Sequence, residues 1–149
     1  MKPSKNCIDL IKQFEGLYLK SYRCPAGYLT IGYGSRWYEN GKDVRDGDVI
    51  TMQRAEDLLL FELEKICRVL PKLDLNQNQF DAVISFCFNL GVGNFLKSTM
   101  YKIMKVNPDD PLIGDEFMKW TRAKVNGETK VLKGLVRRRQ AEKNLYFHE

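Results

Sequence analysis

From Asn76 onward the chain carries Phe80, Val83, Ile84, Cys87 and Phe88 at helical spacing, with Phe86 and Leu90 filling the remaining sides. A helix that is apolar nearly all round cannot lie on a surface, so other elements must enclose it. Gly91 and Gly93 are expected to end it. The sequence has 149 residues, enough for one domain, or one domain in two lobes, with a proper core.

The enclosing elements are legible in outline. Ser4 can cap a helix over residues 4–14, where Cys7, Ile8, Ile11 and Phe14 recur at helical spacing. Thr51 can cap a longer helix to about Leu70, carried by Ala55, Leu58, Leu59, Glu62, Ile66 and Leu70 and stopped by Pro71. Its apolar residues are broadly spread, which predicts cover on more than one side. Phe95, Thr99, Ile103 and Met104 suggest a further helix, and Phe117, Trp120 and Thr121 another. Leu135–Tyr146 is the last, after a turn at Asn107–Pro111 and a break at Asn126-Gly127. Residues 35–50 are polar and loop-like, with turns at Asn40-Gly41 and Asp46-Gly47-Asp48. The stretch Asp43–Asp48 lacks the ligand spacing and terminal Glu of a calcium loop.

The chemically suggestive stretch lies where the first helix stops. Gly16 is a natural helix end, which places Glu15 in or just past the last turn. The partial negative charge of a helix C-terminus disfavours a second negative charge there, which suits a general acid. A solvated terminal Glu is the other reading. Tyr18–Arg23 and Tyr28–Tyr33 are rich in strand formers and flank the turn signal Pro25-Ala26-Gly27. This predicts a hairpin with Cys24 at its turn and Thr30 on its second strand. Tyr28, Thr30 and Gly32 would share one face, and Gly32 and Gly34 would leave that face bare for a ligand. Glu15, Cys24 and Thr30 can then border one cleft. Trp37 and Tyr38 can stack on a ligand or pack the small lobe that the hairpin belongs to, and packing is the simpler reading. Arg36 falls near the cleft mouth.

Composition narrows the chemistry. The four cysteines (Cys7, Cys24, Cys67 and Cys87) form no C-x-x-C pair, so no zinc or redox motif is present. Cys7, Cys67 and Cys87 fall in apolar helical patterns and read as buried thiols, in keeping with a reducing cytoplasm. His148 is the one histidine and lies in the tail, which argues against Ser-His or Cys-His nucleophiles and against H-E-x-x-H zinc chemistry. No metal and no cofactor is expected. The N-terminal residues lack the apolar run of a signal peptide and no stretch reaches membrane-spanning length. The expected site of accumulation is therefore the cytoplasm, without membrane insertion. Residues 1–118 hold 15 Lys and Arg against 16 Asp and Glu, while residues 119–149 hold 9 against 3. This basic end suits an anionic polymer such as a bacterial wall, or a solvated face with an internal ion pair. Nucleic acid is not expected, because no nucleic-acid-binding motif accompanies it.

The spacing Glu15, Cys24, Thr30, set in E-G-x-x-L-x-x-Y and followed by T-I-G-Y-G, resembles the phage-type lysozymes (endolysins, glycoside hydrolase family 24). Three more stretches agree, in order: Gln79–Val83 with Ser85–Gly91, ending F-N-x-G; Phe117–Trp120, F-x-x-W; and Gly134–Arg139 with Glu142, G-L-x-x-R-R-x-x-E. The likeness runs from about residue 4 to 146.

The resemblance implies an α+β, lysozyme-like fold in a single domain. A small sheet lobe at about 15–50 and a linking helix at about 51–70 would join a helical lobe at about 75–149, to which the helix 4–14 belongs, with the cleft between lobes. It implies hydrolysis of the β-1,4 bond between N-acetylmuramic acid and N-acetylglucosamine in peptidoglycan, with inversion. Glu15 would protonate the leaving oxygen and Thr30 would help hold the attacking water. The middle position is commonly Asp and is Cys24 here. A thiol near its usual pKa is mostly neutral at pH 7, so Cys24 can act as a partial thiolate, can orient water with Thr30, or can stand aside while Glu15 works alone, as in a lytic transglycosylase. Water orientation is the favoured reading. Phe88, Asn89, Ser98 and Arg36 are the implied substrate contacts, and Arg138 is the arginine that approaches the catalytic Glu. Its charge would favour ionised Glu15, opposing the helix end. The implied protein is a monomer acting on glycan strands of the host wall after a holin or other membrane lesion releases it. A lytic transglycosylase, or a non-catalytic relative binding wall or nucleic acid, are the alternatives.

Overall fold

A computed structural model describes residues 1–149. It has seven helices and two hairpins: α1 (Lys5–Glu15), β1 (Tyr18–Arg23), β2 (Leu29–Gly32), α2 (Met52–Val69), α3 (Gln77–Leu90), α4 (Val92–Lys97), α5 (Thr99–Val106), α6 (Leu112–Phe117), β3 (Arg122–Val125), β4 (Glu128–Val131) and α7 (Lys133–Tyr146). This is the α+β arrangement expected.

The helix starts follow from their caps. Ser4 accepts from Asn6 N–H and Thr51 from Arg54 N–H, while Asn76 and Gln79 form a reciprocal capping box on α3. Gly16 and Gly91 end α1 and α3 with φ of 73° and 92°, a region open to glycine at little cost.

Helix α3 is the hub. One side carries Ala82, Val83, Phe86 and Cys87 into a cluster closed by Phe95, Met100, Met104, Ile113, Phe117 and Tyr146. Phe86 meets Phe95, Phe117 and Trp120 edge-on, with centroids 6.2, 5.9 and 5.5 Å away. The other side carries Ile84 into a second cluster with Cys7 and Ile11 of α1 and Leu59 and Leu63 of α2. Helix α2 also sends Leu58 to a third cluster with Ile31 and Val44, so it is covered on more than one side. That is how it ties the first hairpin and its following loop to the helices. All four cysteines are free thiols.

Four expectations need correction. The stretch around Phe95 and Ile103 is two helices. Ser98 breaks it: its hydroxyl donates to Phe95 O (2.6 Å) and accepts from Tyr101 N–H (3.1 Å), so it competes with the helical ladder and caps α5. Second, Trp120 and Thr121 lie beyond α6, and Asn126-Gly127 does more than break the chain. With φ of 52° and 81°, it turns a two-residue hairpin pairing Val125 with Glu128 and Arg122 with Val131. Third, Gly32 does not bare a face for ligand: a Cβ there would stand 3.4 Å from Ala55 Cβ, so this glycine lets β2 pack closely on α2. Fourth, Trp37 is 46 % exposed and joins none of the buried clusters, whereas Tyr38 packs as expected against the cluster of Ile31, Val44 and Leu58.

Candidate active site

Glu15 is the last residue of α1, and Gly16 N–H closes the turn on Lys12 O at 3.0 Å. The helix end delivers its carboxylate to Arg138 of α7, whose Nη1 donates to Oε1 at 2.6 Å. Arg138 is nearly fully buried. It is itself held by Ser85 O at 3.3 Å and by Glu142, which its Nε approaches to 3.4 Å. Glu15 Oε2 takes no protein donor. It faces Gly34, where a Cβ would stand 2.9 Å away on a backbone with φ of 92°. One oxygen is therefore anchored and the other left open, and glycine at 34 is what keeps the space.

Two cavities meet at this carboxyl. One, of about 580 Å³, is lined by Glu15, Gly34, Arg36, Trp37, Glu62 and Phe88 among others. The other, of about 570 Å³, has Gln13, Phe14, Leu135 and Arg137 in its wall. Glu15 and Asn89 belong to both, so a polymer running through the groove passes Glu15. Asn89 Oδ1 accepts from Arg139 Nη2 at 2.7 Å. That leaves the amide N–H groups of Asn89 as donors for a substrate carbonyl or hydroxyl.

Cys24 and Thr30 stand on the hairpin and line neither cavity. Cys24 N–H and the Thr30 hydroxyl both donate to Tyr28 O, at 2.9 and 3.0 Å. Burial pushes the Cys24 thiol up, but Tyr28, Ala26 and Gly27 backbone donors and the Thr30 hydroxyl together pull it below its ordinary value. Tyr22 is paired with Thr30 across the hairpin, near enough to Glu15 and Cys24 for their charges to act on it. Burial chiefly, then Tyr18, Glu15 and Cys24, push its phenol up. Ser98 is buried as a helix cap and lines neither cavity. Arg138 is buried on Glu15, and Arg137 beside it is exposed in the second cavity. No group of His, Cys, Asp or Glu side chains is arranged to hold a metal ion.

Sequence reasoning missed three residues. Tyr22 passed as a strand former. Arg139, fully buried between Glu142, Asn89 and the face of Phe86, passed as part of a basic face. Glu62 passed as one more position of an apolar stripe, and its being a carboxylate there was the available signal. It lines the Glu15 cavity and makes no ion pair. Burial pushes its carboxyl from 4.5 up to about 7; Lys65 and the Ser35 hydroxyl pull it down and Glu15 pushes it further up.

A raised carboxyl has a definite effect on stability. The folded chain holds the proton that the unfolded chain releases, so stability falls as pH rises from about 4.5 to about 7 and levels off above. Glu62→Gln removes this cost. For a half-buried group we expect a gain of about 1–2 kcal/mol at pH 8 and almost none at pH 4. Thermal melts of both proteins at the two pH values measure it, and equal differences at both would refute it.

The fold and groove define a class: a glycan-cleaving enzyme with a carboxyl group at the end of a helix, open to a long cleft. The comparisons narrow the class. The phage lysozyme family matches residues 12–142, and this chain belongs to it. It is 43 % identical over 149 residues to the endolysin of Acyrthosiphon pisum secondary endosymbiont phage 1, covering 98 % of each chain. Among solved structures, the endolysin of Escherichia coli O157:H7 phage FAHEc1 superposes with a TM-score of 0.92 at 34 % identity, covering 99 % of this chain and 94 % of that one. The muramidase domain of SpmX from Asticaccaulis excentricus does so at 0.81 and 35 %, covering 99 % of each.

Proposed function

We propose that this phage-lysozyme-family glycoside hydrolase is an endolysin-type muramidase. It cuts the β-1,4 bond between N-acetylmuramic acid and N-acetylglucosamine with Glu15 as general acid and inversion at the anomeric carbon. The observation that carries the reading is the unpartnered Oε2 of Glu15 at the meeting point of two cavities, with Oε1 fixed by Arg138. An acid held this way protonates the leaving oxygen of a strand lying across it.

The hairpin supplies the other half. Thr30 has one proton, which goes either to Tyr28 O or to a Cys24 thiolate, and its lone pairs can accept from a water. The backbone donors around the sulfur favour the thiolate over the water-orienting role expected for Cys24. A thiolate there opposes the positive charge of an oxocarbenium-like transition state and draws a proton from the attacking water. Phe88 and Asn89 contact the sugar from α3. No helix is long and apolar enough to cross a membrane. We place the chain as a monomer in the host cytoplasm, reaching the wall through a holin or other lesion.

The test is digestion of purified peptidoglycan, with product analysis across pH. Reducing muramic-acid ends are expected, and anhydro ends would replace hydrolysis with lytic transglycosylation. Wild-type turnover should rise with pH as the thiolate forms, over a range below that of an ordinary thiol. Cys24→Asp should work with a flat profile over that range. Cys24→Ser should be slower by about 10²- to 10⁴-fold, the scale of losing a general base. Wild-type rates in Cys24→Ser at every pH would remove the sulfur from the mechanism.

A further inference from the structure

Arg36 is held unlike the other arginines that line the groove. Its guanidinium carbon lies 3.5 Å from the centre of the Tyr28 ring and 4.5 Å from that of Trp37. The group lies against two aromatic rings that are 50 % and 46 % exposed. It makes no ion pair and no side-chain hydrogen bond. Arg138 and Arg139 answer to Glu15 and Glu142; Arg54, also over an aromatic ring, answers to Glu39. Arg36 alone combines an aromatic clamp with an unanswered charge.

Its position gives the clamp a purpose. Arg36 and Trp37 line the Glu15 cavity. With Tyr28 they also line an adjoining cavity of about 270 Å³ further out on the hairpin, whose other charged groups are Arg23 and Asp43. Arg23 is tied to Gly27 O at 2.9 Å, and Asp43 does not reach the guanidinium. Contact with two rings restrains the fork while its N–H groups stay without a partner, so less side-chain entropy remains to be lost on binding. A planar fork of fixed orientation matches a carboxylate.

We infer that Tyr28, Arg36 and Trp37 form a receptor for a carboxylate borne by the muramic acid unit, beside the bond that Glu15 cleaves. The inference rests on the muramidase reading. The carboxylate has two sources: the peptide attached to muramic acid, or the lactyl group itself where that peptide is absent.

Three substrates separate them: intact strands, strands stripped of peptide by an amidase, and stripped strands whose lactyl carboxyl is capped as a methylamide. Arg36→Met should lower kcat/KM about tenfold where the recognised carboxylate is present, the scale of one charge-assisted hydrogen bond, and at most about twofold on capped strands. Loss on intact strands alone assigns the peptide; loss on stripped strands alone assigns the lactyl group, and loss on both shows that the receptor takes either carboxylate. Arg36→Lys, which keeps the charge without the flat fork, should recover little. Equal loss on all three substrates, no loss on any, or full recovery by Lys overturns the receptor. Failure of the wild type to cleave any of the three overturns the muramidase reading itself, and the receptor with it.

Discussion

Glu15→Gln should abolish wall clearing while leaving a folded protein. A positioned general acid contributes about 10²- to 10⁴-fold, and no other carboxyl in the groove is placed to replace it. Glu62 shares the cavity, but it sits on α2 and lacks the anchoring that Arg138 gives Glu15. The substitution is close to isosteric. Gln can turn its amide oxygen to Arg138 Nη1 and its nitrogen towards Gly34, so the hydrogen bond survives and only the transferable proton is lost. Arg138 keeps Glu142 as a charged partner. Loss of the Glu15 charge should therefore cost about 1 kcal/mol or less in stability. Clearing of chloroform-permeabilised Gram-negative cells measures the first effect and thermal unfolding the second. A variant clearing within tenfold of wild type would show that Glu15 is not the acid. A variant that fails to clear and also fails to fold would show that its role is structural.

How much of this was readable beforehand depended on whether the signal was local. Ser4, Thr51, Asn76, Gly16 and Gly91 each act through the backbone within a few residues, so the helices they bound were legible. The first hairpin was legible because Pro25-Ala26-Gly27 interrupts two runs of strand formers. The second hairpin was not, although Asn126-Gly127 is a strong hairpin pair. Its strands are largely exposed and carry Lys124, Thr129 and Lys130 in place of an apolar alternation. Ser98 was misread for a related reason: apolar spacing runs straight through it, and only the hydroxyl's hydrogen bonds reveal the break. Phe88, Asn89 and Arg138 were placed by likeness to a family, since nothing in periodicity separates a cleft residue from a core one. Trp37 shows the limit from the other side. Its ring is held outward by Arg36, a neighbour in sequence, yet that stack closes only when Tyr28 arrives across the hairpin. Charges inside the helical core were the least legible, because a run of three arginines looks the same whether it faces water or not.

Glu142→Ala should be the most destabilising single substitution outside the apolar core. Glu142 is fully buried where α7 meets α3, and three groups converge on it. Ser85 Oγ donates to Oε2 at 2.6 Å, Arg138 Nε approaches it to 3.4 Å and Arg139 Nη2 to 3.3 Å. Arg139 Nε lies 2.7 Å from Oε1 in a geometry too bent for an aligned hydrogen bond, so that contact holds by charge. Burial raises the pKa of the Glu142 carboxyl, while Arg139, Arg138 and Ser85 oppose it. Removing the acid leaves Arg139 without an ionic partner in a dry site and Arg138 with Glu15 alone. Breaking a buried pair from one side costs about 3–5 kcal/mol, or a fall in Tm of about 10 °C in a chain of this size. Glu142→Gln, which keeps the volume and the Ser85 bond, should lose less. Exposed pairs such as Lys5–Asp9 and Arg68–Glu64 should each change stability by less than about 1 kcal/mol, which makes them the reference. The same network reaches the Glu15 carboxyl, since the Nη1 that holds Glu15 belongs to the guanidinium whose Nε approaches Glu142. Glu142→Gln should therefore lower turnover at temperatures where it remains folded, by loosening the anchor of Glu15 from behind. A Glu142→Ala protein melting within about 2 °C of wild type would mean that water reaches and solvates these arginines once the acid is gone.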